Sequence, residues 1–202
     1  IFPDGTSRLL TEKGYVLEKH KFEQWLCSEA VKLGAQLKLS HKVKSMERIY
    51  NSENEFLHWK IDGKGDAFPI ECKAVIDASG VTGAATKILE MGTQIEMIAG
   101  IQYEMTDVEN DGYLDFYLWP EYSPHGYVWM IPKDGGRANV GLVTTDKKGA
   151  IKYLDKFVNE TYLKEKEIQN PEWRKPGIKP RPFGGTIPIS GPRELTTGDG
   201  LI

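Results

Sequence analysis

Pro124-His125-Gly126-Tyr127-Val128-Trp129-Met130-Ile131-Pro132 is the run on which the fold turns. Successive side chains of a β-strand point to opposite faces, so period two sends Tyr127, Trp129 and Ile131 one way and Val128 and Met130 the other. Both sets are apolar, and a strand apolar on both faces meets something besides solvent on the second one. Asp134-Gly135-Gly136 then supplies a turn from which Ala138 to Val143 returns as the next strand. Upstream, Ile95, Met97, Ala99, Ile101, Tyr103 and Met105 alternate with the polar Glu96, Gln102 and Glu104, the pattern of a half-buried antiparallel strand. Tyr113 to Trp119 reads as a further strand.

Outward from this sheet the periodicity changes. Phe22, Trp25, Leu26, Ala30 and Leu33 fall at helical spacing, with Gly34 where a helix ends, so residues 21–33 are expected to form an amphipathic helix. Gln36 to Ile49, Phe56 to Ile61 and Phe68 to Ile76 read as strands, the last ending in Asp77-Ala78-Ser79-Gly80, and Ala84 to Met91 as a short helix. Ile151, Leu154, Val158 and Tyr162 mark a helix from about Lys148 to Lys164. Pro171, Pro176, Pro180 and Pro182 predict an extended connection before Gly184-Gly185-Thr186-Ile187-Pro188 and the closing Thr197-Gly198-Asp199-Gly200. The class is α+β: a mostly antiparallel sheet with flanking helices, beside pieces of an α/β nucleotide-binding domain. Residues 1–83 and 191–202 are expected in the latter, and 84–190 in a substrate-binding domain.

Composition narrows the function classes. With 202 residues, 40% apolar and five tryptophans, the chain can bury a core. Its 29 acidic and 26 basic residues give a formal charge of -3 without a long single-sign run, which gives nucleic acid no electrostatic footing. Cys27 and Cys72 sit in no metal-ligand or disulfide spacing, and His20, His41, His58 and His125 are scattered, so no metal site is assigned and a reducing cytoplasm is expected. No run approaches the roughly 18 apolar residues of a membrane span, so membrane contact would be peripheral. Opening at Ile1 and stopping at Ile202 after a glycine-rich turn, the chain reads as a piece of a longer polypeptide.

Three patterns could carry chemistry. The strand ending in Asp77-Ala78-Ser79-Gly80 finishes in small residues that let backbone approach a cofactor, though ordinary strand ends look the same. Gly198-Asp199 could offer a carboxylate to a sugar hydroxyl, or be a plain Asp-Gly turn. Tyr127 and Trp129, with Tyr113, Phe116, Tyr117, Trp119 and Tyr122 upstream, could wall a channel for an apolar ligand or simply fill a sheet core.

Together, Tyr127-x-Trp129 in a P-x-x-Y-x-W-x-x-P frame, Asn139-Val140-Gly141, Leu17-Glu18-Lys19-x-x-Phe22-Glu23, and Gly184-Gly185-x-Ile187-Pro188 followed by Gly198-Asp199 resemble the geranylgeranyl reductase family. The resemblance implies FAD held beside an antiparallel substrate domain whose long apolar pocket presents an isoprenoid alkene for saturation. Lys19, Val43, Ser79, Gly80, Gly198 and Asp199 fall where the family holds FAD, and Tyr127, Trp129, Trp119 and Tyr117 where it would line the prenyl pocket. It further implies a prenyl lipid substrate and an electron donor, NADPH or a ferredoxin. This chain departs from the family pattern in Lys19 for arginine, Glu23 for aspartate, Ile131 for phenylalanine and Gly200 for alanine. Flavin monooxygenases and halogenases share the two glycine turns, and a lipid-binding module without catalysis would share the aromatic sheet.

No G-x-G-x-x-G occurs in these residues, so the helix start that cradles a dinucleotide's phosphates is absent from this sequence. The purified 202-residue chain is therefore expected to bind FAD weakly or not at all. Its visible absorbance checks this, and a stoichiometrically yellow protein would contradict it.

Overall fold

A computed structural model of the chain describes residues 1–91, 95–106, 108, 111–162, 181–191 and 197–202. The connection expected through Pro171, Pro176 and Pro180 lies outside these residues, as do positions 163 and 164 of the helix expected from Lys148. The chain divides into two compact units, one of Glu18–Ile95 with Ser190–Ile202 and the other of Ile1–Leu17 with Glu96–Ile189. The class is α+β.

The second unit is built on a five-stranded antiparallel sheet. Its strands are β4 (Met97–Met105), β5 (Asp115–Tyr117), β6 (Tyr127–Lys133), β7 (Arg137–Thr144) and β8 (Phe183–Pro188), in the order β5-β6-β7-β4-β8. The Asp134-Gly135-Gly136 turn joins β6 to β7, with both glycines at positive φ as a tight hairpin requires. Strand β8 runs through the Gly184-Gly185-Thr186-Ile187-Pro188 segment, which follows the expected connection and to which the sequence pattern assigns no element. Its glycines carry no periodic side-chain signal, and pairing with β4 makes it a strand.

Helix α3 (Ala150–Phe157), continued by a wider helical turn over Val158–Tyr162, closes one face of this sheet. Its Leu154 and Phe157, with Val158, are fully buried against Tyr103, Met105, Val128, Met130, Ala138, Val140 and Leu142. These sheet residues share one parity across the register, so one face supplies the whole core. The start of the chain joins this unit because the Leu118 N–H donates to the Ile1 carbonyl at 3.0 Å.

The other unit is a three-stranded antiparallel sheet, β1 (Lys42–Tyr50), β2 (Phe56–Lys64) and β3 (Ile70–Cys72), preceded by α1 (Lys19–Lys32) and followed by α2 (Ala84–Ile88). Trp59, Ile61, Ala85 and Leu201 form its core. Packing of Ala85, Leu89 and Met91 into that core is why residues up to Ile95 group here, beyond the division expected at residue 83. Helix α1 forms where its periodicity predicts, but none of its side chains is buried among the described residues, and Trp25 is 56% exposed.

The two kinds of apolar residue should respond differently to truncation. Phe157→Ala removes a fully buried ring and is expected to cost about 3 to 5 kcal/mol, whereas Phe22→Ala on α1 should cost under about 1 kcal/mol. Urea unfolding of the two variants, monitored by circular dichroism, measures the difference.

Candidate functional site

The face of the five-stranded sheet opposite α3 carries the residues of the other parity. Register aligns Phe116 with Trp129, Trp129 with Gly141, Gly141 with Gln102, and Gln102 with Phe183, one row across all five strands. The neighbouring row holds Tyr127, Val143, Gly100 and Gly185. Phe116 meets Tyr127 edge-on with centroids 5.5 Å apart, and Tyr127 lies 6.0 Å from Trp129. The Trp129 Nε1–H donates to Gln102 Oε1 at 3.1 Å. Phe116, Tyr127, Phe183 and Ile187 are exposed and Trp129 half-buried, so this face is an apolar surface with glycines between its large side chains.

Charge gathers at the hairpin end of the same face. Lys133 Nζ lies 2.9 Å and Arg137 Nη1 2.6 Å from Glu104 Oε1. The hydrogen bond from Lys133, and then that from Arg137, hold the Glu104 carboxyl below its ordinary value despite partial desolvation. Asn139, between this cluster and Gly141, has a buried Oδ1 without a hydrogen-bond partner.

In the other unit, the chain at Val75 bridges Leu201 in parallel, and the Asp77 N–H donates to the Ile202 carbonyl. The strand then ends in a turn that its own side chains brace. Asp77 accepts from the N–H groups of Ser79 and Ala85, and Ser79 Oγ accepts from the Ala84 N–H at 2.6 Å. Gly80 sits at φ +70°, and a Cβ built there would meet nothing within 4 Å, so the backbone is open. Asp199, at φ 47°, receives the Trp59 Nε1–H on its carbonyl at 2.8 Å. Its carboxylate takes the Tyr50 hydroxyl at 3.3 Å and stands 3.3 Å from Arg48 Nε, whose guanidinium lies 4.7 Å over the Trp59 ring. Desolvation, then the Asp199 charge, raise the Tyr50 phenol above its ordinary value and keep it a donor. Burial likewise raises the Cys72 thiol and disfavours its thiolate. Among the described residues no three His, Cys, Asp or Glu side chains gather as a metal site would require, and no helix is long and apolar enough to cross a membrane.

Residues 96–171, which include the sheet strands β4 to β7 and α3, match the family described as the geranylgeranyl reductase catalytic domain. The chain is similar to the geranylgeranyl reductases. It is 32% identical to a digeranylgeranylglycerophospholipid reductase of Methanocaldococcus jannaschii over 99% of its own length and 50% of that protein's. It thus spans about half the length of the curated relatives it matches. A geranylgeranyl bacteriochlorophyll reductase-like protein of Thermoplasma acidophilum has the same fold at TM-score 0.68 and 26% identity, covering 98% of this chain and 49% of that one. A flavin-dependent halogenase matches 92% of this chain and 34% of its own at TM-score 0.59 and 19% identity, a likeness of fold alone.

Sorting the positions carried over from the geranylgeranyl reductase resemblance separates three groups. Tyr127 and Trp129 share the open face, as their spacing predicts. Tyr117 and Trp119 do not join them. Tyr117 is 5% exposed and packs edge-on against Phe157 at 5.0 Å, because β5 pairs it with Val128 and so turns it to the α3 side. Trp119 follows it there, 5.7 Å from both Tyr117 and Tyr122. Both belong to the core beneath the sheet rather than to the wall above it. Ser79 and Gly80 stand at the leaving end of the Val75 strand, where α/β folds bind ligands. Gly198 and Asp199 precede Leu201, the parallel partner of Val75, and so lie at the opposite, entering end, with Asp199 committed to Arg48, Tyr50 and Trp59. Sequence shows the composition of the Asp-Gly turn but not the end of the sheet it occupies. Lys19 projects 84% exposed and pairs with Glu23 at 3.2 Å, and Val43 is half-buried on β1 against the Trp59 core. The residue that sequence reading missed is Gln102; only the register reveals it, together with Phe116 of the aromatic run and Gly141 of the Asn139-Val140-Gly141 motif, as a neighbour of Trp129.

The depressed Glu104 value has a defined consequence for stability. A carboxyl whose folded value is lowered stabilises fully above its ordinary value of about 4.3 and loses that contribution as pH falls through the lower folded value. Tryptophan fluorescence during acid titration should show the wild-type chain losing stability below about pH 4, with Glu104→Gln less stable near neutrality and flatter across that window.

Proposed function

We propose that this chain supplies the prenyl-binding sheet and part of the flavin site of an FAD-dependent reductase that saturates C=C bonds of geranylgeranyl groups on a lipid or prenyl precursor. The observation that carries the reading is the face opposite α3, where Phe116, Tyr127, Trp129, Phe183 and Ile187 leave large apolar area unburied over a floor interrupted by Gly100, Gly141 and Gly185. An exposed apolar face of this size on a sheet whose other face is already closed fits a ligand chain without charge. The similarity to digeranylgeranylglycerophospholipid reductases supports the same assignment.

In this reading the unit of Glu96–Ile189 is the substrate domain, and the unit of Glu18–Ile95 with Ser190–Ile202 contributes to the FAD domain. The open backbone at Gly80 beside the braced Ser79 turn fits close approach of a flat cofactor, and exposed Lys19 fits a phosphate. Asp199 engages Tyr50 and Arg48 through Oδ2 with its side chain 47% exposed, and it lies at the entering end of the strand rather than beside Gly80. Reduced flavin, when bound, supplies hydride to the alkene. What this chain's residues do is hold the isoprenoid flat, keep its reacting carbons oriented and exclude water from them. Electrons come from NADPH or a ferredoxin, and a lipid substrate brings the enzyme to the membrane surface peripherally.

Trp129→Ala in the complete enzyme is expected to weaken binding of a geranylgeranyl lipid by about 2 to 4 kcal/mol, because it removes the largest ring of the wall. Equilibrium binding to detergent-dispersed lipid measures this. Unchanged affinity, or oxygen consumption coupled to hydroxylation with the alkenes left intact, would overturn the reading.

A further inference from the structure

Trp129 is unusual among the rings of the open face in having a built seat. Its cross-strand partner is Gly141, and the partner of Gly141 on the far side is Gln102. The indole nitrogen is hydrogen-bonded to Gln102 Oε1 at 3.1 Å, two strands from its own backbone. A Cβ built on Gly141 would stand 2.6 Å from Trp129 Cζ2 and would also collide with the Gln102 Cβ. The six-membered ring therefore crosses directly over Gly141, and the indole spans β7 to reach β4. A neutral hydrogen bond on a half-buried face adds little stability, but an N–H fixed at one end of a planar ring removes its freedom to stand up from the sheet.

We propose that Gln102 and Gly141 are positioning residues for Trp129. Gly141 provides the space in which the indole lies across the sheet, and Gln102 locks it there. Trp129 becomes a level platform under the substrate instead of a ridge across it, so the pair governs how the reacting alkene is oriented. This rests on the reading of the open face as the prenyl-binding surface. Tyr127 has no such lock, being held by ring contacts with Phe116 and Trp129.

Gln102 is the residue to test, because a methyl at Gly141 would also come 2.6 Å from the Ile101 carbonyl and disturb the β4 pairing. In the complete enzyme, Gln102→Met keeps the volume and loses the acceptor, Gln102→Glu keeps an acceptor, and Trp129→Phe loses the donor. The indole N–H resonance of Trp129, assigned by its disappearance in Trp129→Phe, should move upfield in Gln102→Met and stay near its original position in Gln102→Glu. With a geranylgeranyl lipid as substrate, Gln102→Met should lower kcat about tenfold with KM within about twofold, the signature of misorientation. Gln102→Glu should restore most of it, and the Gln102→Met, Trp129→Phe double variant should be no slower than Trp129→Phe alone. An unmoved indole resonance, an unchanged kcat, or losses that multiply in the double variant would each overturn the positioning role. Those outcomes leave the functional reading standing where Trp129→Ala still weakens lipid binding. Lipid binding unaffected by Trp129→Ala removes that reading together with this inference.

Discussion

Everything distinctive in this chain follows from the closing of one face of the five-stranded sheet by α3. Leu154, Phe157 and Val158 are fully buried against Tyr103, Met105, Val128, Met130, Val140 and Leu142, which fixes the parity of β4, β6 and β7 at once. A shift of one residue in any of these strands would expose its core set and bury its partners, so register is held tightly. The residues of the other parity are then committed to the opposite face whatever their polarity. Phe116, Tyr127, Trp129 and Ile187 are apolar residues on a surface that the core does not need, which is why function is to be sought there.

The sheet was legible because its signal is periodic. Alternation from Ile95 to Met105 and the two-sided apolar run around Trp129 mark strands, and Asp134-Gly135-Gly136 marks their hairpin. Strand β8 was not legible, since Gly184 and Gly185 have no side chains to alternate. The same limit explains the aromatic wall. Seven rings between Tyr113 and Trp129 look like one surface in sequence, but parity divides them, with Tyr117 in the core and Phe116 on the open face. Counting by two across an irregular segment such as 118–126 fails, because the loop resets the phase before β6 begins.

The other unit shows how little a local motif specifies when the topology around it is hidden. Ser79-Gly80 and Gly198-Asp199 are both short turns of small residues, and composition does not separate them. Parallel pairing of Val75 with Leu201 does, because it orients the two segments the same way and leaves one turn after its strand and the other before it. Asp199 then has a sufficient structural role. It accepts from Trp59 and Tyr50 and faces Arg48, tying the edge of β1 and the fully buried Trp59 to the returning chain.

Helix α1 makes the converse point. Its apolar residues recur at helical spacing, though its apolar and polar faces are far less segregated than those of α3, and it forms over Lys19–Lys32, yet Phe22, Trp25 and Leu26 stay exposed while Leu154 and Phe157 vanish into a core. Periodicity specifies that a helix has an apolar side, not that a partner is present to cover it. On the sheet the equivalent exposed side is accompanied by a specific arrangement, an indole laid over a glycine and tethered by an amide, whereas on α1 the exposed rings of Phe22 and Trp25 stack on each other. Rings that merely lack cover can reorient at little cost. One that has been given a seat and a hydrogen bond is held in a chosen plane, and a chosen plane is what orienting a flexible, uncharged chain for reaction requires.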